Sequence, residues 1–195
     1  MMKLFSGLLI VIISMLTWNC SEESEIQNTG VRELLPLKTG NIWNYETVSA
    51  GNKVSYHYNE VRGDTVLSPV QAPNEKWFIF GYDTEINSYC INKSDGLWFL
   101  SESGTPILYY KNPAVNSDEY TTTDSTHIRI VSNNEKVTVK GGSFSCIHYD
   151  TYNKYFAFDE YWAPRVGLVH LTKYQLNSNK QIVLERTELI SYTLK

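Results

Sequence analysis

This chain has no apolar run long enough to cross a bilayer. A membrane-spanning helix needs roughly 20 residues, and the longest run here, Leu4 to Leu16, is shorter and broken by Ser6, Gly7 and Ser14. Cysteine is scarce: Cys20, Cys90 and Cys146 are the only three, and none has a C-x-x-C partner, which excludes a dithiol redox motif. No H-E-x-x-H, G-x-S-x-G or phosphate-binding glycine loop occurs, so the common signatures of zinc peptidases, serine hydrolases and nucleotide enzymes are missing. Basic residues are outnumbered, 17 against 21 acidic, for a net charge of −4. That balance argues against nucleic acid, whose binders cluster Lys and Arg. No basic amphipathic segment suggests adsorption to anionic lipid. From Asn41 onward there is also no 3.6-residue apolar period, so no long amphipathic helix is expected.

What is present begins with an address. Lys3 gives a positive start, the apolar run follows, and Cys20 stands just beyond it, before Ser21-Glu22-Glu23-Ser24-Glu25. The order is that of a secretory signal. A cysteine at its end resembles the bacterial lipoprotein signal, in which that cysteine is lipidated and becomes the first residue. The positions before it, Thr17, Trp18 and Asn19, depart from the usual Leu/Val and small-residue pattern. An ordinary cleaved signal would want an A-x-A site, and none is nearby. We therefore divide the chain into a signal at 1–19, an acidic linker at 20–30 and one domain at 31–195. The acidic run resembles the tag that sends some lipoproteins to the outer cell surface. It also serves as a solvated linker, since such residues bury too little apolar area to order themselves.

The domain reads as strands. Tyrosine (14) and tryptophan (5) are abundant, and aromatics favour strands. Val31 to Leu35 is expected to form a short helical turn stopped by Pro36. Strands are then expected over residues 41–50, 53–67 (with a bulge at Gly63), 76–85, 86–93, 97–101, 107–111, 127–132, 135–140, 143–152, 155–163, 168–176 and 180–194. Turn signals such as Gly51-Asn52, Asn133-Asn134 and Asn153-Lys154 separate them. Asn112 to Ser125 is the longest polar stretch and is expected to be a loop, functional or mobile. About a dozen strands with short turns predict an all-β fold: an antiparallel meander curled into a half-barrel or barrel. Cys90 and Cys146 each lie in a strand and read as two buried thiols acting as small apolar residues, or as a disulfide if their Cα atoms come within about 7 Å.

Two segments carry a resemblance. Leu35-Pro36-Leu37-Lys38-Thr39-Gly40-Asn41-Ile42-Trp43-Asn44-Tyr45 resembles the opening PLK-x-GN-x-W-x-Y of a group of uncharacterised bacterial lipoproteins. Gly142-Ser143-Phe144-Ser145-Cys146 and Tyr161-Trp162-Ala163-Pro164-Arg165-Val166-Gly167-Leu168-Val169 resemble its closing G-x-F-x-C and YYAPGVGLV. Arg165 stands where the group has Gly, which suggests a position not restricted to glycine. The resemblance implies a β-rich envelope protein. A looser similarity is to the lipoprotein-carrier half-barrels, whose lid helices have no counterpart here. In the motifs, Trp43 and Tyr45 are expected on one face at the barrel end, and Pro164 and Gly167 at a hairpin corner.

One constellation could carry chemistry. If the hairpin at Asn153-Lys154 is tight and the next centres between Pro164 and Arg165, then His148, Asp159 and His170 form one cross-strand row. The adjacent row on the other face is then Tyr149–Phe158–Leu171. Zinc wants four protein ligands, or three and a water, and nothing else converges there. The row is therefore expected to be a polar ladder on the wet face, with no metal, cofactor or catalytic role. Glu160, on the apolar side between Ile147 and Val169, is expected at the barrel mouth. His57 and His127 stand isolated in their strands. The expected function is non-enzymatic: a binding or interaction module held to the membrane, through palmitate-type acyl chains on Cys20, in the outer membrane of the cell envelope or at its surface. Its partner would be an envelope protein, a glycan or an apolar ligand in the curl. An enzyme with a site on the concave face, and a purely structural envelope component, are the rivals. An aromatic-lined cavity favours binding, convergent carboxylates with shifted pKa favour catalysis, and a filled core favours the structural role.

Overall fold

The structure, a computed structural model, describes residues 33–67, 75–83, 86–177 and 180–195. The signal, Cys20 and the acidic linker lie outside the described residues. Of the expected turn from Val31, residues 33–35 are described, and they form a bend rather than a helix. Twelve strands follow: β1 (Ile42–Ser49), β2 (Lys53–Leu67), β3 (Glu75–Tyr82), β4 (Ile86–Lys93), β5 (Gly96–Leu100), β6 (Pro106–Lys111), β7 (Glu119–Thr121), β8 (His127–Val139), β9 (Gly142–Tyr152), β10 (Phe156–Ala163), β11 (Gly167–Asn177) and β12 (Lys180–Thr193). They make one antiparallel sheet in the order β6-β5-β4-β3-β2-β1-β12-β11-β10-β9-β8-β7. The protein is all-β, and among the described residues there is no helix.

The order explains the curl. Two six-stranded meanders, β1–β6 and β7–β12, are joined at their first and last strands, because β1 pairs with both β2 and β12. The sheet's two edges, β6 and β7, are consecutive in sequence. A short connection between opposite edges requires the sheet to roll until they approach. Alternation decides which side is inside. In β1, Trp43, Tyr45 and Thr47 are buried while their neighbours are partly exposed. Val61, Cys90, Leu97, Tyr110, Ile130, Tyr149, Trp162, Val169 and Leu189 continue the core. Cys90 and Cys146 are both buried and both free.

Four expectations need correction. Asn133-Asn134 is not a turn. β8 runs straight through it, with register shifts between Ile130 and Ser132 and between Ser132 and Glu135. The two asparagines form the second bulge and spend their polar groups elsewhere: Asn133 N–H donates to Asn116 Oδ1 at 2.7 Å, and Asn134 Oδ1 accepts from Ser145 Oγ. The polar stretch 112–125 is not one loop, since it contains β7 and packs along the β6 edge.

Both hairpins of the predicted row also differ. Asn153 Oδ1 accepts from the backbone N–H groups of Tyr155 and Phe156, at 2.9 and 3.0 Å, and its own N–H donates to Phe156 O. This wider Asx turn moves the β9–β10 register by two residues, so Asp159 faces Asp150 and His148 faces Tyr161. Between β10 and β11, three residues turn and a bulge follows Tyr161, which again sums to two, so His170 faces Tyr161. A shift of two leaves every side chain on its predicted face but changes its partner. The cross-strand row is His148–Tyr161–His170, with Asp159 one step along the same face. On the inner face Tyr149 and Leu171 face Glu160 rather than Phe158, which is only half-buried.

Candidate functional site

Three places gather functional side chains. The first is the end of the curl where the two resemblance motifs meet. Trp43 Nε1–H donates to Val166 O, and Tyr45 O–H donates to Leu168 O at 3.1 Å. Gly167, at φ 106°, lies so close that a Cβ there would stand 2.8 Å from Leu35 Cδ1. Asn92 of β4 grips the same segment, accepting from Leu34 N–H at 3.2 Å and donating to Leu35 O at 2.7 Å. Leu34 and Leu35 are fully buried and plug this end. Arg165 has φ 66°. Its position is left-handed, which favours glycine, yet the arginine occupies it, so the position is not restricted to glycine. The motifs build structure, and they build it together.

The second place is the outer face of β9–β11, where the predicted row lies. His148 stacks on Tyr161 with ring centroids 4.2 Å apart, and Tyr161 touches His170 at 5.6 Å. Asp159 reaches His148 diagonally: Oδ1 is 3.3 Å from Nε2, and Glu135 Oε2 is 3.2 Å from Nδ1. Tyr174 O–H donates to Asp159 Oδ2 at 2.7 Å. His170 contacts Thr172 Oγ1 at 3.0 Å and Glu188 at 3.7 Å instead. Burial pulls the His148 pKa down, but the hydrogen bond and charge of Asp159, aided by Glu135, outweigh it and leave the pKa raised. Burial lowers that of His170. Both nitrogens of His148 face carboxylates, which suits an imidazolium rather than a metal ligand. Among the described residues no group of three or more His, Cys, Asp or Glu is placed to hold a metal ion. His57 lies between the rings of Tyr45 and Tyr82, and His127 stacks on Tyr152.

The third place is the concave face opposite the plug, and sequence reasoning missed most of it. A cleft of about 540 Å³ opens there, walled by Phe99, Ile107, Tyr109 and Tyr110, with Glu102 and Asp124 as its charged groups. Tyr109 and Tyr110 both turn inward because β5 and β6 slip register between Leu97 and Trp98. Asp124 comes from the turn between β7 and β8. It is exposed to solvent but accepts from Tyr109 O–H and Thr122 O–H, and these bonds, with that of Thr126, hold its carboxyl below the usual range against a partial desolvation that would raise it. Behind Tyr110 lies Glu160, which is not at a mouth. It is buried, accepting from Tyr110 O–H at 2.6 Å and Trp162 Nε1–H at 3.3 Å. Burial pushes its pKa up against these bonds. Its oddness on an apolar row was visible in the sequence. The cleft was not, because Asp124 sat in a stretch that read as a polar loop.

The cleft borders the seam where the sheet fails to close by backbone pairing. Side chains close it instead. Tyr120 O–H donates to Tyr109 O at 2.7 Å and accepts from Lys111 N–H at 3.2 Å. Tyr149 O–H donates to Lys111 O at 2.7 Å, and Lys111 Nζ pairs with Asp118 at 3.5 Å.

Solved structures share this fold. A "putative lipoprotein" of Parabacteroides distasonis superposes with a TM-score of 0.50 at 15% identity, covering 84% of this chain and 99% of its own. A "putative exported protein" with a YmcC-like fold, from Bacteroides fragilis, gives 0.51 at 12% identity, covering 84% of this chain and 100% of its own. The likeness is one of fold. No family model matches the chain, and no curated protein matches it. The β-rich architecture implied by the motif resemblance is the architecture found, and it occurs in an exported protein and a lipoprotein so described.

Proposed function

We propose that this chain is a lipid-anchored protein of the bacterial cell envelope, tethered at Cys20 to the outer membrane and facing the surface, whose half-barrel is a non-enzymatic binding module. The observation that carries the binding role is the cleft. Its volume falls within the 300–1,000 Å³ of small-ligand sites, and its walls are aromatic. A purely structural β-barrel fills that space with side chains. A catalytic role is disfavoured by how the nearby acids are used. Both oxygens of Asp124 accept from Tyr109 and Thr122, Glu160 does not line the cleft, and Glu102 has no histidine, lysine or second free acid beside it in the lining. The anchor is supported by the signal-like segment ending at Cys20 and by the kind of protein that shares the fold. Two or three acyl chains would hold it stably, where one binds only marginally.

Mass spectrometry of the full chain purified from its own envelope tests both parts. The expected N-terminal peptide begins at Cys20 and carries acyl chains, and a small molecule is retained in stoichiometric amount. Ser88 lines the cleft, so Ser88→Trp should fill it and abolish retention without loss of fold. An unmodified peptide spanning Trp18 to Glu25 removes the anchor. Retention unchanged by Ser88→Trp removes the cleft.

A further inference from the structure

The cleft has a charge bias. Its two charged groups are both acids, Glu102 and Asp124, and no lysine, arginine or histidine lines it. Four acids elsewhere are paired with lysine or arginine, Glu75 with Lys93, Asp118 with Lys111, Asp150 with Arg129 and Glu46 with Lys140, and their charge is offset locally. Among the described residues no ion pair engages Glu102 or Asp124. Asp124 is satisfied by neutral hydroxyl donors, which leaves its charge in place. Beside these acids the rings of Phe99 and Tyr109 meet at 89°, with centroids 5.7 Å apart, and form two walls of a corner.

Each part restricts the ligand. A carboxylate or phosphate entering the cleft would lose its water and meet two negative groups with no cation to compensate them. An apolar body gains from the aromatic walls. A cation gains twice, from the ring faces and from the acids.

We infer that the cleft selects a small ligand with a cationic amine on an apolar body, the body against Phe99 and Tyr109 and the ammonium toward Glu102 and Asp124. This rests on the cleft being the binding site proposed above, and it adds the ligand's chemical class.

The test uses three probes of one shape: 4-phenylbutylammonium, 4-phenylbutanol and 4-phenylbutanoate. Each is titrated at neutral pH into the full chain in phosphatidylcholine nanodiscs, with empty nanodiscs subtracted, and followed by the ring signals of isotope-labelled Phe and Tyr. The ammonium should bind about fivefold tighter than the alcohol, the upper end for opposite charges in contact with water, since Glu102 and Asp124 are both exposed, and the carboxylate should shift nothing. Glu102 is exposed, outside any ion pair and free to change. Glu102→Gln should weaken the ammonium about twofold, since it removes one of two exposed charges, and leave the alcohol unchanged. Added salt should reduce the ammonium's advantage. If the alcohol or carboxylate binds as tightly as the ammonium, and Ser88→Trp abolishes that binding, the charge class is wrong and the cleft reading survives. If ammonium binding persists in Ser88→Trp, the site lies elsewhere and the inference falls. If no probe shifts the ring signals, the inference also falls, while retention of a native ligand judges the cleft separately.

Discussion

The plugged end of the curl and its open end share β4 but are otherwise built from different strands, and the same kind of bond, from a ring donor to a backbone carbonyl, serves a different purpose in each. At the plug, indole and phenol donors reach backbone carbonyls across the interior, Trp43 to Val166 and Tyr45 to Leu168, inside a packed apolar shell. At the seam, tyrosine hydroxyls stand in for missing strand pairing, and a cleft remains between the walls. A buried aromatic that also satisfies a carbonyl contributes area and a hydrogen bond at once. At the seam Tyr149 is fully buried and Tyr120 half-buried, but their bonds span a gap in the ladder beside an open cleft rather than a filled interior. Stability should therefore concentrate at the plug, and the freedom to admit a ligand at the seam.

The sharpest way to break this contrast is Trp43→Ala. Trp43 is fully buried, lies 5.8 Å from the Phe80 ring and holds the turn that carries Gly167. Truncation should cost about 3–5 kcal/mol, as for other buried large aromatics. Urea unfolding of the full chain measures it. A loss no larger than that of a seam variant would mean that the plug does not dominate.

Tyr120→Phe probes the other side. It keeps the ring and removes only the hydroxyl shared by Lys111 N–H and Tyr109 O. The expected cost is about 1–2 kcal/mol, since two backbone groups lose a partner but lie near water. The Lys111 amide should exchange with deuterium faster while the Val61 amide, which donates to Asn41 O beside the plug, stays protected. Equal acceleration at both would show one cooperative unit rather than two.

Much of this architecture was legible in the sequence, and the parts that were not share a cause. Period-two patterning depends only on which face a side chain takes, so the strands, the all-β class and the faces of His148, Asp159 and His170 could be read directly. Register depends on how many residues a turn consumes. The side chain of Asn153 widened one turn, and a bulge after Tyr161 lengthened the next path. Neither effect has a signature in apolar pattern. Asn133-Asn134 misled for the same reason, because a polar pair that often turns a chain can also fill a bulge. The seam and cleft were invisible because they join residues through side chains across the one gap in the ladder.

Arg165 sharpens the plug side from the opposite direction. At φ 66° an arginine bears a cost that glycine does not. Its N–H donates to Glu33 O at 3.1 Å, a bond that glycine would keep. Arg165→Gly should stabilise the protein by about 0.5–1 kcal/mol, the left-handed relief being offset in part by glycine's greater freedom in the unfolded chain. A destabilisation of that size would show that the arginine side chain secures the turn.

The smallest effect should come from the outer face, which the contrast between plug and seam leaves out. His148 has a raised pKa, so the folded state holds its proton more tightly than the unfolded chain, whose histidine titrates near 6.5. The resulting stabilisation is fully present below that value and is lost as pH rises through the higher folded value. His170 is shifted the other way by burial, so its contribution runs against that of His148 as the solution becomes acid. The two partly cancel in the native protein, and a single pH curve would hide them. His148→Gln and His170→Gln separate them. Relative to the native protein, His148→Gln should lose more stability at about pH 5 than at pH 8, and His170→Gln should lose less. Glu135 and Asp159 are partly exposed, with side-chain accessibilities of 41% and 33%, so water and salt screen the pairing. The His148 difference should stay below about 1 kcal/mol and shrink in high salt. A pH-dependent loss comparable to that of Trp43→Ala would make the ladder a structural element of the same rank as the plug. A loss with no pH dependence would mean that His148 acts through its stacking on Tyr161 rather than through its charge.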